Sequence, residues 1–298
     1  MNNPLVSVII PTYNRAGVIA ETLDSVRLQE YADWECLVVD DGSTDESFAI
    51  IETFCASDTR FRLLKRPDDM QKGAGSCRNL GFSESKGKFV CWLDSDDVIS
   101  SAKIRAQVQR LLSENADIAT CRWGRFSTIS DPQMKQLDIY RDYDRGLDLI
   151  QGYGETGSFF PSHVFLVRRS VVEKAGLWNE YLKINQDGEF FSRLLMFSDK
   201  VVFCSDAVAL YRSSTDNNTN NTLSAAKADH LVRSWVLIKN NLELVDEARF
   251  EKYVNSGLFY VYTLLYKDYP DVIARYKWLF KKQIERSSLL SRLKRRLS

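Results

Sequence analysis

Short apolar runs alternate with segments of helical periodicity over the first two-thirds of the chain. Residues 5–10, 34–39, 61–64, 89–93, 118–121, 164–167, 200–204 and 208–211 are compact apolar, largely β-branched stretches, and each reads as a strand. Pro11 is expected to close the first of them in a turn. Between them, Val18, Ile19, Leu23, Val26 and Leu28 recur at helical spacing. Helices are likewise expected after Gly42, with Ser43 or Thr44 as N-cap, and over 74–86, 101–113, 170–176 and 187–197. Strands alternating with helices predict βαβ units, hence an α/β fold with a mainly parallel sheet flanked by helices. From about residue 124 the alternation weakens. Residues 124–160 are rich in Asp, Arg, Gly and Tyr and read as a long functional loop with a short helix near 145–151. Residues 213–222 are almost wholly Ser, Thr, Asp and Asn, a loop. After residue 223 the pattern is helical throughout, with helices predicted at 224–244, 248–267 and 270–285. These shifts predict an α/β domain over 1–222 and an all-helical C-terminal extension over 223–298.

The strand at 89–93 ends in Asp94, Ser95, Asp96 and Asp97. Three unpaired carboxylates cannot enter a core, so they emerge at the strand's C-terminal end, where open α/β sheets bind ligands. Their mutual repulsion calls for a positive group among them. Oxygen donors without nearby Cys or His suit Mg²⁺ or Mn²⁺, and Mg²⁺ needs only one or two carboxylates besides water and phosphate. A single acid would serve as a helix N-cap, the simpler reading of Asp96 or Asp97. The strand at 34–39 also ends in acids, Asp40 and Asp41, which parallel pairing places on the same sheet edge. Between the two clusters, Gly73 and Gly75 open a helix whose free N–H groups attract anions, with Arg78 and Asn79 one turn in.

Composition narrows the class. The chain has 298 residues, is 44% hydrophobic and 27% charged, and resembles an ordinary globular protein. The start, Met1-Asn2-Asn3-Pro4, lacks the basic region of a secretory signal, and no apolar stretch reaches membrane-spanning length. Six scattered cysteines without a CxxC suggest reduced core residues and a cytoplasmic setting. The net charge of zero hides a gradient: residues 274–298 carry nine Lys or Arg and one acid. Those cations alternate with Trp278, Phe280, Leu289, Leu293 and other apolar residues. This suits either an amphipathic helix on an anionic membrane surface or a packing helix with a solvated tail. Nucleic acid is not expected as a partner, because the acidic body would repel phosphates.

Taken in order, Val6-Ser7-Val8-Ile9-Ile10-Pro11-Thr12-Tyr13-Asn14, Val38-Val39-Asp40-Asp41-Gly42-Ser43-Thr44-Asp45, Arg78-Asn79 with Gly81, and Leu93-Asp94-Ser95-Asp96-Asp97 resemble the family 2 glycosyltransferases. The resemblance covers about residues 5–212. It implies a GT-A fold, Rossmann-like in its nucleotide-binding half (about 1–123), with an acceptor half over about 124–222. It also implies inverting transfer of a sugar from a nucleotide-sugar donor, a UDP-sugar, to a glycan or lipid-linked acceptor in surface-polysaccharide synthesis. By the same resemblance Pro11, Tyr13 and Asn14 border the nucleotide, and Asp41 accepts a hydrogen bond from its base. Asp40 either orients the loop or pairs with a cation such as Arg78. Asp94-Ser95-Asp96 is the DxD motif, with Asp94 on the ribose or a metal-bound water and Asp96 on the Mn²⁺ or Mg²⁺. Arg78 is a candidate for binding the nucleotide-sugar, and Arg212 for binding its diphosphate.

The family's acidic pair at a helix start corresponds to Gln186-Asp187 here. Asp187 is then the expected general base and Glu189 the alternative, while Gln186 departs from the pattern. That departure keeps open a rival reading, a non-catalytic sugar-nucleotide-binding or scaffold protein. Ser213 and Ser214 follow Tyr211-Arg212 where the family often has a His, so the metal is expected to rely on carboxylate, phosphate and water. His163 is expected to be structural. Tyr153, Phe159 and Phe160 are candidates either for stacking on a sugar or for core packing. A location at the inner face of the membrane, peripheral through the basic tail, would suit a lipid-linked acceptor.

Overall fold

The computed structural model describes residues 3–213 and 223–286. Strands β1 (Val6–Thr12), β2 (Trp34–Asp40) and β3 (Phe61–Lys65) pair in parallel, and β4 (Phe89–Trp92) joins the other side of β1, also parallel. Helices α1 (Ile19–Arg27), α2 (Ser47–Ser57) and α3 (Ala74–Glu84) are the crossovers. Every residue of β1 is buried, which is why its sequence lacks the alternation of a half-exposed strand.

Past β4 come β5 (Val98–Ile99), α4 (Lys103–Ser113), β6 (Ile118–Phe126), β7 (Gln133–Met134) and α5 (Gly146–Thr156). A 3-10 turn (Ser162–Val164), β8 (Leu166–Arg168), α6 (Arg169–Ala175), α7 (Gln186–Met196) and β9 (Val201–Arg212) follow. The sheet order is β3-β2-β1-β4-β8-β6-β9-β5, with β7 beside β6. The α/β class and the mainly parallel sheet are present. The seam at β8, antiparallel to both β4 and β6, was not predicted.

Four local expectations need correction. Pro11 does not end its strand. Pairing with β4 stops at Ile9, so at Pro11 that side of β1 has no ladder and the missing N–H loses no bond. Neither Ser43 nor Thr44 caps α2; Asp45 instead accepts the Ser47 N–H at 3.0 Å and the Ala16 N–H at 3.0 Å. The two strands expected at 200–204 and 208–211 are one, β9, interrupted where Cys121 faces Cys204 and Arg122 faces Val208. The polar break at Ser205 and Asp206 is a bulge. The long loop at 124–160 is shorter, because β6 runs on to Phe126 and α5 to Thr156.

The C-terminal region is helical as predicted. Helix α8 (Ala225–Leu265) is broken at Asp246 (φ −169°, ψ 99°), between the two helices expected there, and α9 (Pro270–Arg275) follows. It packs on the α/β body: Tyr253 stands 6.1 Å ring-to-ring from Tyr153 of α5, and Asn185 at the start of α7 donates to Ser234 Oγ at 2.8 Å. Phe250, Val261 and Phe280 share one apolar cluster with the sheet. The predicted boundary at 222/223 borders the loop 214–222, which lies outside the described residues, as do the tail residues 287–298. Within the described part of the tail, Val272, Ile273, Leu279 and Phe280 are buried, so its apolar side is spent on packing, while Trp278 is 61% exposed. Among the described residues no helix is long and apolar enough to cross a membrane. All six cysteines are unpaired, and five are buried.

Candidate active site

β4 delivers the acids. After Trp92, Leu93 N–H still donates to Ile9 O (3.0 Å), and the chain then turns tightly, with Asp97 N–H donating to Asp94 O at 3.1 Å. Asp94, Ser95 and Asp96 line a cleft of about 250 Å³ together with Pro11, Tyr13, Arg15, Asp41, Arg78 and Tyr211. Asp97 points the other way. It is 1% exposed, accepts the Arg212 N–H at 2.8 Å and lies 2.9 Å from His163 Nδ1. It therefore caps no helix; α4 begins only at Lys103.

The expected positive groups are the protein's own. Arg78 donates to Asp94 at 2.7 Å, and Arg15 Nε lies 3.8 Å from Asp96. Burial pushes the Asp94 carboxyl up, but the Arg78 charge and hydrogen bond outweigh it and leave it below the usual range. Asp96 goes the opposite way, to about 6, through burial and the charges of Asp97 and Asp94, with Arg15 only partly offsetting them. A carboxylate so short of counter-charge suits a divalent cation. No group of three His, Cys, Asp or Glu suited to hold a metal occurs among the described residues. An ion held at Asp96 would have to complete its shell with water and phosphate.

At the other end of the cleft, Asp41 is fixed by Arg66, whose Nε donates to Oδ1 at 2.5 Å, and by the Gly73 N–H at 3.3 Å. Sequence reasoning missed Arg66. The signal was present in the register: Asp40 faces Lys65, so the next residues, Asp41 and Arg66, are neighbours past the strand ends. Asp40 does not meet Arg78. It accepts the Gly42 and Ser43 N–H groups, both at 3.0 Å, and shapes the turn that Gly42 makes at φ 83°. Asn14 accepts the Thr44 N–H (2.8 Å), tying the two loops, and Lys72 Nζ sits 4.0 Å from the centre of the half-open Tyr13 ring.

Arg212 is not in the cleft wall. Its side chain donates to Asp96 O (2.7 Å) and Glu21 (2.5 Å), whereas its neighbour Tyr211 faces the cleft. Its place behind the acid loop makes it a brace, because β9 ends with alternating sides.

Beyond Arg78, α7 starts from Asn185 at φ 54°. Asp187 lies in its first turn and is exposed. The protein around it and the charge of Asp94 nevertheless raise its carboxyl above the usual range, against the pull of Arg78 and the Gly188 N–H. Glu189 is buried and paired with Arg193 at 2.6 Å, which removes it as the alternative base. Gln186 Oε1 accepts from Arg78 at 3.2 Å. Asn79 clasps the same loop, bonding Trp178 N–H (2.9 Å), Trp178 O (3.0 Å) and Glu180 (2.7 Å). Of the aromatic candidates, Tyr153 and Phe160 are buried, and only Phe159 is open.

Comparisons with known proteins identify the family and the fold. The family model described as Glycosyl transferase family 2 matches residues 7–176. The uncharacterized glycosyltransferase EpsJ of Bacillus subtilis (strain 168) is 27% identical over 237 residues, which are 78% of this chain and 68% of that protein. WfgD of Escherichia coli, a UDP-Glc:alpha-D-GlcNAc-diphosphoundecaprenol beta-1,3-glucosyltransferase, is 39% identical over 116 residues, 39% of this chain and 44% of its own. The crystal structure of S. aureus TarS 1-349 in complex with UDP-GlcNAc superposes with a TM-score of 0.69 at 20% identity, covering 87% of this chain and 72% of that one. At that identity the likeness is one of fold, and the fold is GT-A.

Proposed function

The chain belongs to glycosyl transferase family 2, and from that premise we propose that it is an inverting, metal-dependent transferase of surface-polysaccharide assembly. Its donor in this reading is a UDP-sugar and its acceptor a glycan or lipid-linked sugar. The observation that carries the reading is the bridge made by Arg78, which joins Asp94 of the acid loop to Gln186, next to Asp187. That bridge supports the reading, because it ties the acid loop to the start of α7, where the proposed base lies.

Asp41, held by Arg66, offers a fixed carboxylate to a base N–H, which uracil supplies. Tyr13, Pro11 and Asn14 border the nucleotide. Ser95 and Arg78 face the diphosphate. Asp96, with Asp94 beside it, would hold Mn²⁺ or Mg²⁺, which when bound offsets charge on the departing nucleotide. Asp187 takes the proton of an acceptor hydroxyl as that oxygen attacks the anomeric carbon opposite the diphosphate, an in-line geometry that inverts configuration. UDP-GlcNAc in the TarS structure and a diphosphoundecaprenol acceptor in the name of WfgD support the donor and acceptor classes. A lipid-linked acceptor would place the work at the inner face of a membrane, and the exposed Lys277, Trp278 and Lys281 would meet its anionic surface. Incubation with UDP-sugars and lipid-linked or glycan acceptors, with the product's anomeric configuration read by NMR, tests this. Tight UDP binding with no turnover across a broad panel would favour the binding-protein reading instead.

A further inference from the structure

Asp187 is held by its backbone. Its carboxylate takes the Gly188 N–H of its own turn, and among the described residues no side chain donates to it. Its place is therefore set by the residues on either side, Asn185 and Gly188.

Asn185 starts α7 in the left-handed region (φ 54°), which asparagine tolerates better than most residues. Its side chain is fixed from the C-terminal region: Nδ2 donates to Ser234 Oγ of α8 at 2.8 Å. Ser234 is fully buried, and its hydroxyl proton is committed to Leu231 O at 2.7 Å. Oγ can then only accept, which turns the amide nitrogen of Asn185 toward Ser234 and leaves its oxygen toward Gly188. A Cβ at Gly188 would stand 2.4 Å from that oxygen. Gly188 has no positive φ, so its backbone does not call for glycine; the space taken by the pinned amide does.

The second half of α8 reaches the same carboxylate. Burial and the charge of Asp187 push the Tyr253 hydroxyl up. Gly154 of α5 lets Tyr253 come close, since a Cβ at Gly154 would stand 2.7 Å from the Tyr253 nitrogen. All of α8 lies beyond residue 176, where the family match ends.

We propose that Ser234 is a positioning residue for Asp187: through Asn185 it clamps the start of α7, and Gly188 leaves the room that the clamp needs. This rests on the reading of Asp187 as the base and assigns the C-terminal helix to the same site.

The test uses the full chain labelled with ¹³C-aspartate, without ligand. Wild type is compared with Ser234→Ala, Gly188→Ala, the double variant and Phe280→Leu. The Asp187 carboxyl resonance is identified by its loss in Asp187→Asn and titrated by NMR, with thermal melts alongside. In Ser234→Ala the freed turn hydrates the carboxyl, and its titration midpoint should fall by about 0.5 or more toward the ordinary carboxylate value. Gly188→Ala should do the same, because its methyl drives the amide off Ser234, and it keeps the inference testable if Ser234→Ala does not fold. It should also fail to gain the Tm that alanine in place of glycine ordinarily gives a helix. In the Ser234→Ala background the amide can swing away, so adding Gly188→Ala should raise Tm, a coupling expected of groups in contact. Phe280→Leu loosens the packing against Tyr262 and should lower Tm while leaving the Asp187 titration where it is in wild type. An unmoved titration in Ser234→Ala, an equal movement in Phe280→Leu, or a higher Tm from Gly188→Ala alone overturns the inference and leaves the base reading intact. A moved titration together with transfer that survives Asp187→Asn overturns the base and keeps the clamp.

Discussion

His163 Nδ1 stands 2.9 Å from Asp97 Oδ2, and both side chains are sealed from solvent. Burial pushes the Asp97 carboxyl up, and His163 pulls it back. Asp97 also takes the Arg212 N–H, so the pair ties the acid loop to the end of β9. His163→Ala strands a buried carboxylate and should destabilise the fold by about 3–5 kcal/mol. Urea denaturation measures this; a change under 1 kcal/mol would show that the pair is not needed.

Asp187→Asn removes the proposed base and nothing that holds the donor. Transfer should fall by roughly 10²–10⁴-fold while UDP affinity stays within about threefold. The raised carboxyl of Asp187 sets the sign of the pH dependence. The base works only when ionised, so the acid limb of kcat/KM should lie above the ordinary carboxylate range and activity should fall as pH drops through it. Asp187→Asn should lose that limb. A pH profile that is the same in both proteins would place the base elsewhere.

Chelation and Asp96→Ala remove the same proposed metal contact. Each should weaken UDP binding, and EDTA should add little in the variant, because effects through one shared group do not add. Calorimetry with and without EDTA decides. UDP affinity indifferent to both treatments would exclude a metal held at Asp96.

Gly257 lies where α8 meets its own first half: a Cβ there would stand 2.0 Å from the Trp235 ring. Gly257→Ala gains helix propensity of about 1 kcal/mol but overpacks a rigid indole. A net loss of about 1–3 kcal/mol is expected by denaturant titration. The cleft should keep its UDP affinity. A gain in stability would mean that the two segments of α8 separate easily.

Membrane binding needs a test that spares the core. Ending the chain before Val272 would remove Val272, Ile273, Leu279 and Phe280 from the packed interior. Lys277→Glu with Lys281→Glu changes only exposed positions. Each cation near an anionic surface contributes about 1 kcal/mol, so the double variant should bind phosphatidylserine liposomes at least tenfold less. Equal sedimentation of both proteins with liposomes would remove this surface from the account.

The apolar runs and acid-ended strands of the first hundred residues determined the α/β class, the parallel half of the sheet and the placing of Asp41, Asp94 and Asp96 on one edge. Those features are local. A buried strand must be apolar along its length, and its charges must emerge at its end. Tertiary structure alone decided what those charges meet. Arg66 reaches Asp41 because two strand ends are neighbours in register, and His163 reaches Asp97 across 66 residues of chain. Arg212 turned out to brace the acid loop from behind, and Glu189 was taken by Arg193. The C-terminal helices were legible as helices, since periodicity marks an amphipathic face. It does not name the surface that covers that face, and here the surface is α5 and α7 of the same body. Residue type and spacing establish which groups can do chemistry. Partners separated by a hundred residues are assigned only by packing, because burial and charge pairing depend on distance in space.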